Sequence, residues 1–229
     1  MNDTLNILFE DESIIVIDKQ RGLATQSAKS YEKDAVSLIK EHLRKENPSV
    51  KGEPYVGVVH RLDQPVSGIL VFAKNQKAAA MLSKQAAGDV MNKHYMAIVE
   101  GILEDEKEVE LVNNTYKDPK TKMAVITDDF LQKETVAGDF QPKKAVLTYR
   151  VVSVNRDENT TKLEISLKTG RFHQIRAQLT HLGHPIIGDK KYGSSYNFQG
   201  GIALTAFKLE FVHPISKKSM QYTVESDFV

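Results

Sequence analysis

Apolar residues in this chain fall mostly in short runs or strict alternation, and in three stretches only at the wider spacing of a helix. Residues 6–10 and 13–18 are rich in β-branched side chains and flank an acidic turn, which predicts a two-stranded hairpin. Arg21-Gly22-Leu23 breaks that pattern into a loop. Between residue 34 and about residue 45, Val36, Ile39 and Leu43 recur at helical spacing among polar residues, predicting an amphipathic helix that Pro48, Gly52 and Pro54 end. Residues 67–74 (SGILVFAK) form a continuous apolar run, the mark of a buried strand. Asn75 can then cap a helix from 76 to about 87, with Gly88 as its stop.

Residues 93–101 (KHYMAIVEG) predict another strand. From 104 to about 143 the chain is polar, with strand-like pieces and a Lys117-Asp118-Pro119 turn, and reads as a surface excursion rather than a separate domain. Residues 145–155 and 161–168 alternate about Asp157-Glu158-Asn159-Thr160 and predict a hairpin. A helix over 172–182, closed by Gly183 and Pro185, and two strands over about 202–212 and 220–224 complete the reading. Strands outnumber helices and often follow one another directly, so the expected class is α+β with a largely antiparallel sheet. No repeat, low-complexity tract or Gly/Ser/Pro-rich linker interrupts the chain, and residues 1–229 are expected to form a single domain.

Composition narrows the function classes. The chain has 229 residues and no Cys, which excludes a disulfide framework, a Cys-ligated zinc and a thiol nucleophile. The start, Met1-Asn2-Asp3-Thr4 leading to Glu10-Asp11-Glu12, lacks the basic-then-apolar order of a signal peptide, and no run approaches the ~20 apolar residues of a membrane span. The expectation is a soluble, cytoplasmic protein with no membrane partner, monomeric by default. Its 31 basic and 30 acidic side chains nearly cancel, but unevenly. Residues 100–110 hold six carboxylates against Lys107, whereas 168–191 hold Lys168, Arg171, Arg176, Lys190 and Lys191 against Asp189. That basic stretch is compatible either with a polyanion-binding surface or with an ordinary solvated face.

Three places carry candidate chemistry. His60-Arg61-Leu62-Asp63-Gln64-Pro65 lies in a sharp loop between two core elements, where a carboxylate and a guanidinium two residues apart read as catalytic groups or as a structural ion pair. Lys168-Thr169-Gly170-Arg171-Phe172-His173-Gln174-Ile175-Arg176 opens a helix, a place for anions or simply for surface cations. Tyr95, isolated in a strand, reads first as packing. His173, His181 and His184 lack an acidic third ligand at metal-binding spacing, and no phosphate loop, dinucleotide fingerprint or nucleophile elbow is present.

Together the three places are far more specific. Gly57-Val58-Val59-His60-Arg61-Leu62-Asp63 followed by residues 67–74 resembles the signature of the RluA-like family of RNA pseudouridine synthases. Lys93-His94-Tyr95 with Val99-Glu100-Gly101, then residues 169–176, then residues 183–189 with Tyr192-Gly193, resemble the family's later blocks in the same order. Residues 14–19 with Gly22-Leu23 resemble the opening motif, and residues 204–214 the closing one. The resemblance implies a central mixed, mostly antiparallel sheet flanked by helices and loops, with an active-site cleft. It implies an isomerase that turns uridine in rRNA or tRNA into pseudouridine, without metal or cofactor.

By the same resemblance Asp63 is the essential carboxylate, either attacking C1′ or removing a sugar proton to give a glycal. Arg171 pairs with it and keeps it ionised, and Tyr95 stacks on the target base and helps remove the C5 proton. Arg61 fills the gap left by the extruded uridine or holds the backbone, and His60, His173 and Arg176 join it in contacting RNA. The chain departs from the common pattern at Val66, Phe172 and Thr205, where Thr, Thr or Ser, and His are frequent. The match starts almost at Met1, so no S4-type RNA-binding domain is expected ahead of it. RNA recognition is then expected to rest on the catalytic domain. The alternative is an RNA-binding or RNA-folding factor on the same scaffold.

Overall fold

The computed structural model describes residues 5–27, 32–49, 51–88, 90–104, 107–127, 142–226 and 228. The chain divides into two compact units, Met1–Lys93 with Thr205–Val229, and His94–Leu204.

In the first unit, β1 (Asn6–Glu10) and β2 (Ile14–Lys19) form the expected antiparallel hairpin. Strand β2 then pairs antiparallel with β4 (Ser67–Ala73) from Ile14↔Ala73 to Lys19↔Gly68. The other edge of β4 is shared. Its start pairs in parallel with β10 (Leu204–Val212) at Thr205↔Ser67 and Ala206↔Gly68, and its end pairs antiparallel with the two-residue β3 (Gly57–Val58). Strand β11 (Ser219–Thr223) closes the row against β10. One parallel pair among antiparallel neighbours makes the sheet mixed and mostly antiparallel, as the family resemblance implied.

All seven residues of β4 are buried, which explains its unbroken apolar run. Ile69, Val71 and Ala73 join Ile14 and Val16 in one cluster with Ala78 and Leu82 of α2 (Gln76–Ala87) and Leu209 and Phe211 of β10. Ile15, Ile17, Leu70 and Phe72, at the alternate positions of the same strands, are equally buried. Helix α1 (Ala35–Glu46) starts at a capping box: the Asp34 side chain accepts from Ser37 N and the Ser37 hydroxyl accepts from Asp34 N. Helix α2 follows its cap, Asn75, whose side chain accepts from Ala78 N, and stops at Gly88.

The second unit contains the strand path β5-β9-β8-β6-β7. Strand β8 (Lys143–Asn155) and β9 (Thr160–Leu167) are the expected hairpin. Strand β6 (Val109–Lys117) pairs with β8 from Val109↔Tyr149 to Thr115↔Lys143, and β7 (Ala124–Thr127) pairs with β6. The strand-like pieces expected within the polar stretch 104–143 are thus paired strands at 109–117 and 124–127, which corrects its reading as a surface excursion. The polar pattern misled because several positions of β6 face outward, so its apolar content is low although its backbone is paired. Residues 128–141 lie outside the described residues.

Strand β5 (Asn92–Glu100) carries Ile98, whose carbonyl accepts from Ile187 N and whose N–H donates to Ala203 O. Helix α3 spans Gln174–His181, two residues later than expected at its start, because His173 adopts φ 49° and cannot continue a right-handed helix backward. A short 3-10 turn, Lys190–Tyr192, was not foreseen.

Candidate active site

Asp63 sits in the irregular turn between β3 and β4, half-buried, and its carbonyl accepts from Val66 N. The segment after β2 braces this turn. Gly22 N donates to Gln64 O, Thr25 Oγ1 donates to Leu62 O and accepts from Leu62 N, and Arg21 Nη1 donates to Pro65 O at 3.0 Å. Arg21 Nη2 reaches Ser67 Oγ at 3.2 Å and Thr205 Oγ1 at 3.5 Å. Thr205, one of the departures noted in the sequence, thus has a defined partner set, with Ser67 Oγ at 2.8 Å.

Lys19 is 1% exposed, and its Nζ donates to Gln20 O, Leu23 O and Gln64 O at 3.2, 2.7 and 3.4 Å. Burial, then the charge of Arg21, pulls its pKa down to about 7, while Asp63 and Asp18 pull it upward. The Asp63 carboxylate is therefore close enough to Lys19 to act on it electrostatically. Sequence reasoning placed Lys19 only in the opening motif and missed this support. The sole local signal was a lysine ending a strand whose first four residues are apolar.

His60 points inward. Its Nε2 accepts Val71 N–H at 3.1 Å, on the edge of β4 between the stretches taken by β10 and β3. Burial, with a smaller contribution from Lys93, lowers its pKa to about 3, so the ring is neutral at physiological pH. Arg61 is exposed.

In the second unit Tyr95 is buried on β5, and the neighbouring His94 Nδ1 lies 3.0 Å from Ser166 Oγ. Arg171 is exposed, and its Nε donates to Lys144 O at 2.8 Å. The turn before α3 is organised by buried Gln174, another residue the sequence did not single out. Gln174 Oε1 accepts from Thr169 Oγ1 (2.7 Å) and from Arg171 N (3.0 Å), while its Nε2 donates to Val146 O and Gln178 Oε1. The Arg171 N–H at this helix mouth, one place an anion could have bound, is therefore already satisfied. The hint available was a Gln174/Gln178 pair at i, i+4.

His173 and Arg176 converge on Tyr192. His173 Nδ1 lies 2.9 Å from Tyr192 Oη, which accepts from Ala124 N, and the Arg176 guanidinium lies 4.8 Å from the Tyr192 ring centroid. Arg176 is buried in a two-point ion pair with Asp189, at 2.6 and 2.8 Å, and so faces inward rather than toward solvent. His184 Nδ1 is 2.7 Å from Glu100 O. Among the described residues no three His, Asp or Glu side chains converge as metal ligands, and no helix is long and apolar enough to cross a membrane.

Residues 13–181 match the family of RNA pseudouridylate synthases. The ribosomal large subunit pseudouridine synthase D of Zymomonas mobilis subsp. mobilis is 32% identical over 96% of this chain and 69% of its own length. The D enzyme of Xanthomonas campestris pv. campestris, also 32% identical, is spanned over 63% of its length. The tRNA pseudouridine synthase C of Vibrio vulnificus is 30% identical over 98% of this chain and 92% of its own length. The solved structure of human RNA pseudouridylate synthase domain containing 4 superposes with a TM-score of 0.74 at 19% identity, over 97% of this chain and 89% of that one, a likeness of fold. The ordered motifs, the mixed sheet and these matches agree: the chain belongs to the RNA pseudouridylate synthase family.

Proposed function

We propose that this protein isomerises uridines to pseudouridine in structured rRNA or tRNA, with Asp63 as the essential carboxylate. The observation that carries the reading is the Asp63 turn, braced by Lys19, Arg21, Gly22 and Thr25 so that one half-buried carboxylate is held at a fixed place. Relatives named for the large ribosomal subunit and for tRNA support the substrate class.

The chemistry is balanced without an added reactant. The N1–C1′ bond breaks, the electron pair leaves with uracil, and Asp63 either bonds to C1′ or takes the 2′ proton. The uracil anion turns and C5 bonds to C1′ as the Asp63 oxygen leaves that carbon or, on the glycal route, as Asp63 returns the proton to C2′. The C5 proton then departs and N1, no longer bonded to the sugar, takes one up. Because the leaving group is also the returning nucleophile, one carboxylate does the work that glycosidases divide between two. Water must stay out of the site while C1′ is electrophilic. Tyr95 as the base-stacking aromatic and Arg171 as the cation serving Asp63 rest on the motif match. In this reading His60 and Arg176, both turned inward, hold the turn and α3 rather than touch RNA, and Arg61 is the accessible cation beside the extruded base.

The test is tritium release from unmodified rRNA and tRNA transcripts labelled at uridine C5. Wild type is expected to release tritium and Asp63→Asn to release none above background. Equal release by both would remove Asp63 from the mechanism. Release by neither would favour the RNA-binding factor. Tyr95→Phe, which keeps the ring and loses the phenol oxygen, is expected to retain RNA binding and slow release.

A further inference from the structure

The β6–β7 turn and the start of α3 bring together cations and an exposed aromatic ring outside the proposed catalytic residues. Phe172 is 39% exposed, stacked on the His173 ring with centroids 3.8 Å apart and planes 19° from parallel. The Lys117 ammonium sits 4.5 Å from the Phe172 centroid. Lys120 and Lys122 follow on the turn, both exposed, and Lys191 Nζ donates to Lys122 O at 2.8 Å. The acidic group of the turn, Asp118, is spent on the turn itself, accepting from Lys120 N (2.9 Å) and Thr121 Oγ1 (2.7 Å).

We infer that Lys117, Lys120, Lys122 and Lys191 with Phe172 form an RNA contact surface, taking phosphates on the lysines and a base on the Phe172 ring. This rests on the reading of the protein as an RNA-modifying enzyme. Four ammonium groups around a turn with its carboxylate already engaged match the charge of a polynucleotide backbone. The patch is too polar for an apolar protein partner. The aromatic ring supplies what phosphate contacts lack, a face on which any base stacks. His173, held by Tyr192, fixes the ring from behind. Lys117 covers the outer face in the free protein, and its flexible stem lets the ammonium follow a phosphate while a base replaces it.

The experiment compares wild type with K117Q/K120Q/K122Q in binding unmodified tRNA transcripts across a salt series. A control triple, K45Q/K77Q/K84Q, removes three exposed lysines of the other unit. The expected result is that the first triple lowers the slope of log affinity against log salt by about 2, from roughly 0.7 per lost single-strand phosphate contact, while the control leaves it unchanged. Phe172→Leu is expected to keep the slope and to weaken binding about five- to hundredfold. In turnover both changes are expected to raise KM and spare kcat, with far-ultraviolet circular dichroism unchanged. An unchanged slope in the first triple, or an equal fall in the control, overturns the inference. Binding needs no turnover, so a wild type that binds but releases no tritium would instead overturn the proposed function.

Discussion

Lys19 carries an ammonium group into the interior of its unit, and the cost of doing so has an observable pH dependence. Its pKa falls from an ordinary 10.5 to about 7. Between those two values the unfolded chain binds a proton that the folded chain does not, so stability rises with pH across that window; below pH 7 both states are protonated and the penalty is constant. In Lys19→Met the carbonyls of Gln20, Leu23 and Gln64 lose a donor, at an expected cost of about 1–3 kcal/mol at neutral pH. Urea midpoints at pH 7.0, 8.5 and 9.5 check both points. The wild type's advantage over Lys19→Met is expected to widen with pH, and an advantage that stays flat or narrows would mean the lysine is charged in the fold throughout. Residues of this kind were the least legible in the sequence. Asp63 and Arg171 announced themselves within short motifs, whereas Lys19, Gln174 and Tyr192 act through groups as distant as Gln64, Val146 and Ala124.

Elements whose signals are local were read to within a residue or two. Helix α2 runs Gln76–Ala87 as expected because its cap, Asn75, and its stop, Gly88, directly flank it. Strand β6 was legible only as strand-like pieces because its pairing partner lies in β8, and α3 was begun too early because the left-handed backbone of His173 leaves no mark in the local pattern. The junction of β4 and β10 gives the sharpest prediction at this scale. Gly68 has φ 118°, and a Cβ there would stand 2.2 Å from the carbonyl oxygen of Ala206, a backbone atom with nowhere to go. Gly68→Ala is expected to cost about 2 kcal/mol or more from strain and displacement of β10. For a chain of this size that is a fall in Tm of roughly 4–8 °C, readable by calorimetry. A melt matching wild type would mean that the two strands part freely at Gly68.

The whole molecule is threaded in an order that no local pattern reveals. The second unit is continuous in sequence, while the first is built from residues 1–93 and 205–229. Contacts between distant segments form late because loop closure must be offset before they contribute. In refolding followed by pulsed hydrogen exchange, amides of the β8–β9 hairpin are therefore expected to gain protection before those of β10 beside β4. Simultaneous protection would mean one cooperative event. The same threading has a consequence during translation. When the Asp63 turn leaves the ribosome, Thr205, the partner of Ser67 and Arg21, has not been made, and residues 94–204 must be synthesised first. The turn that carries the proposed chemistry is thus among the first parts synthesised and among the last to mature, so a nascent chain acquires competence only after β10 has emerged.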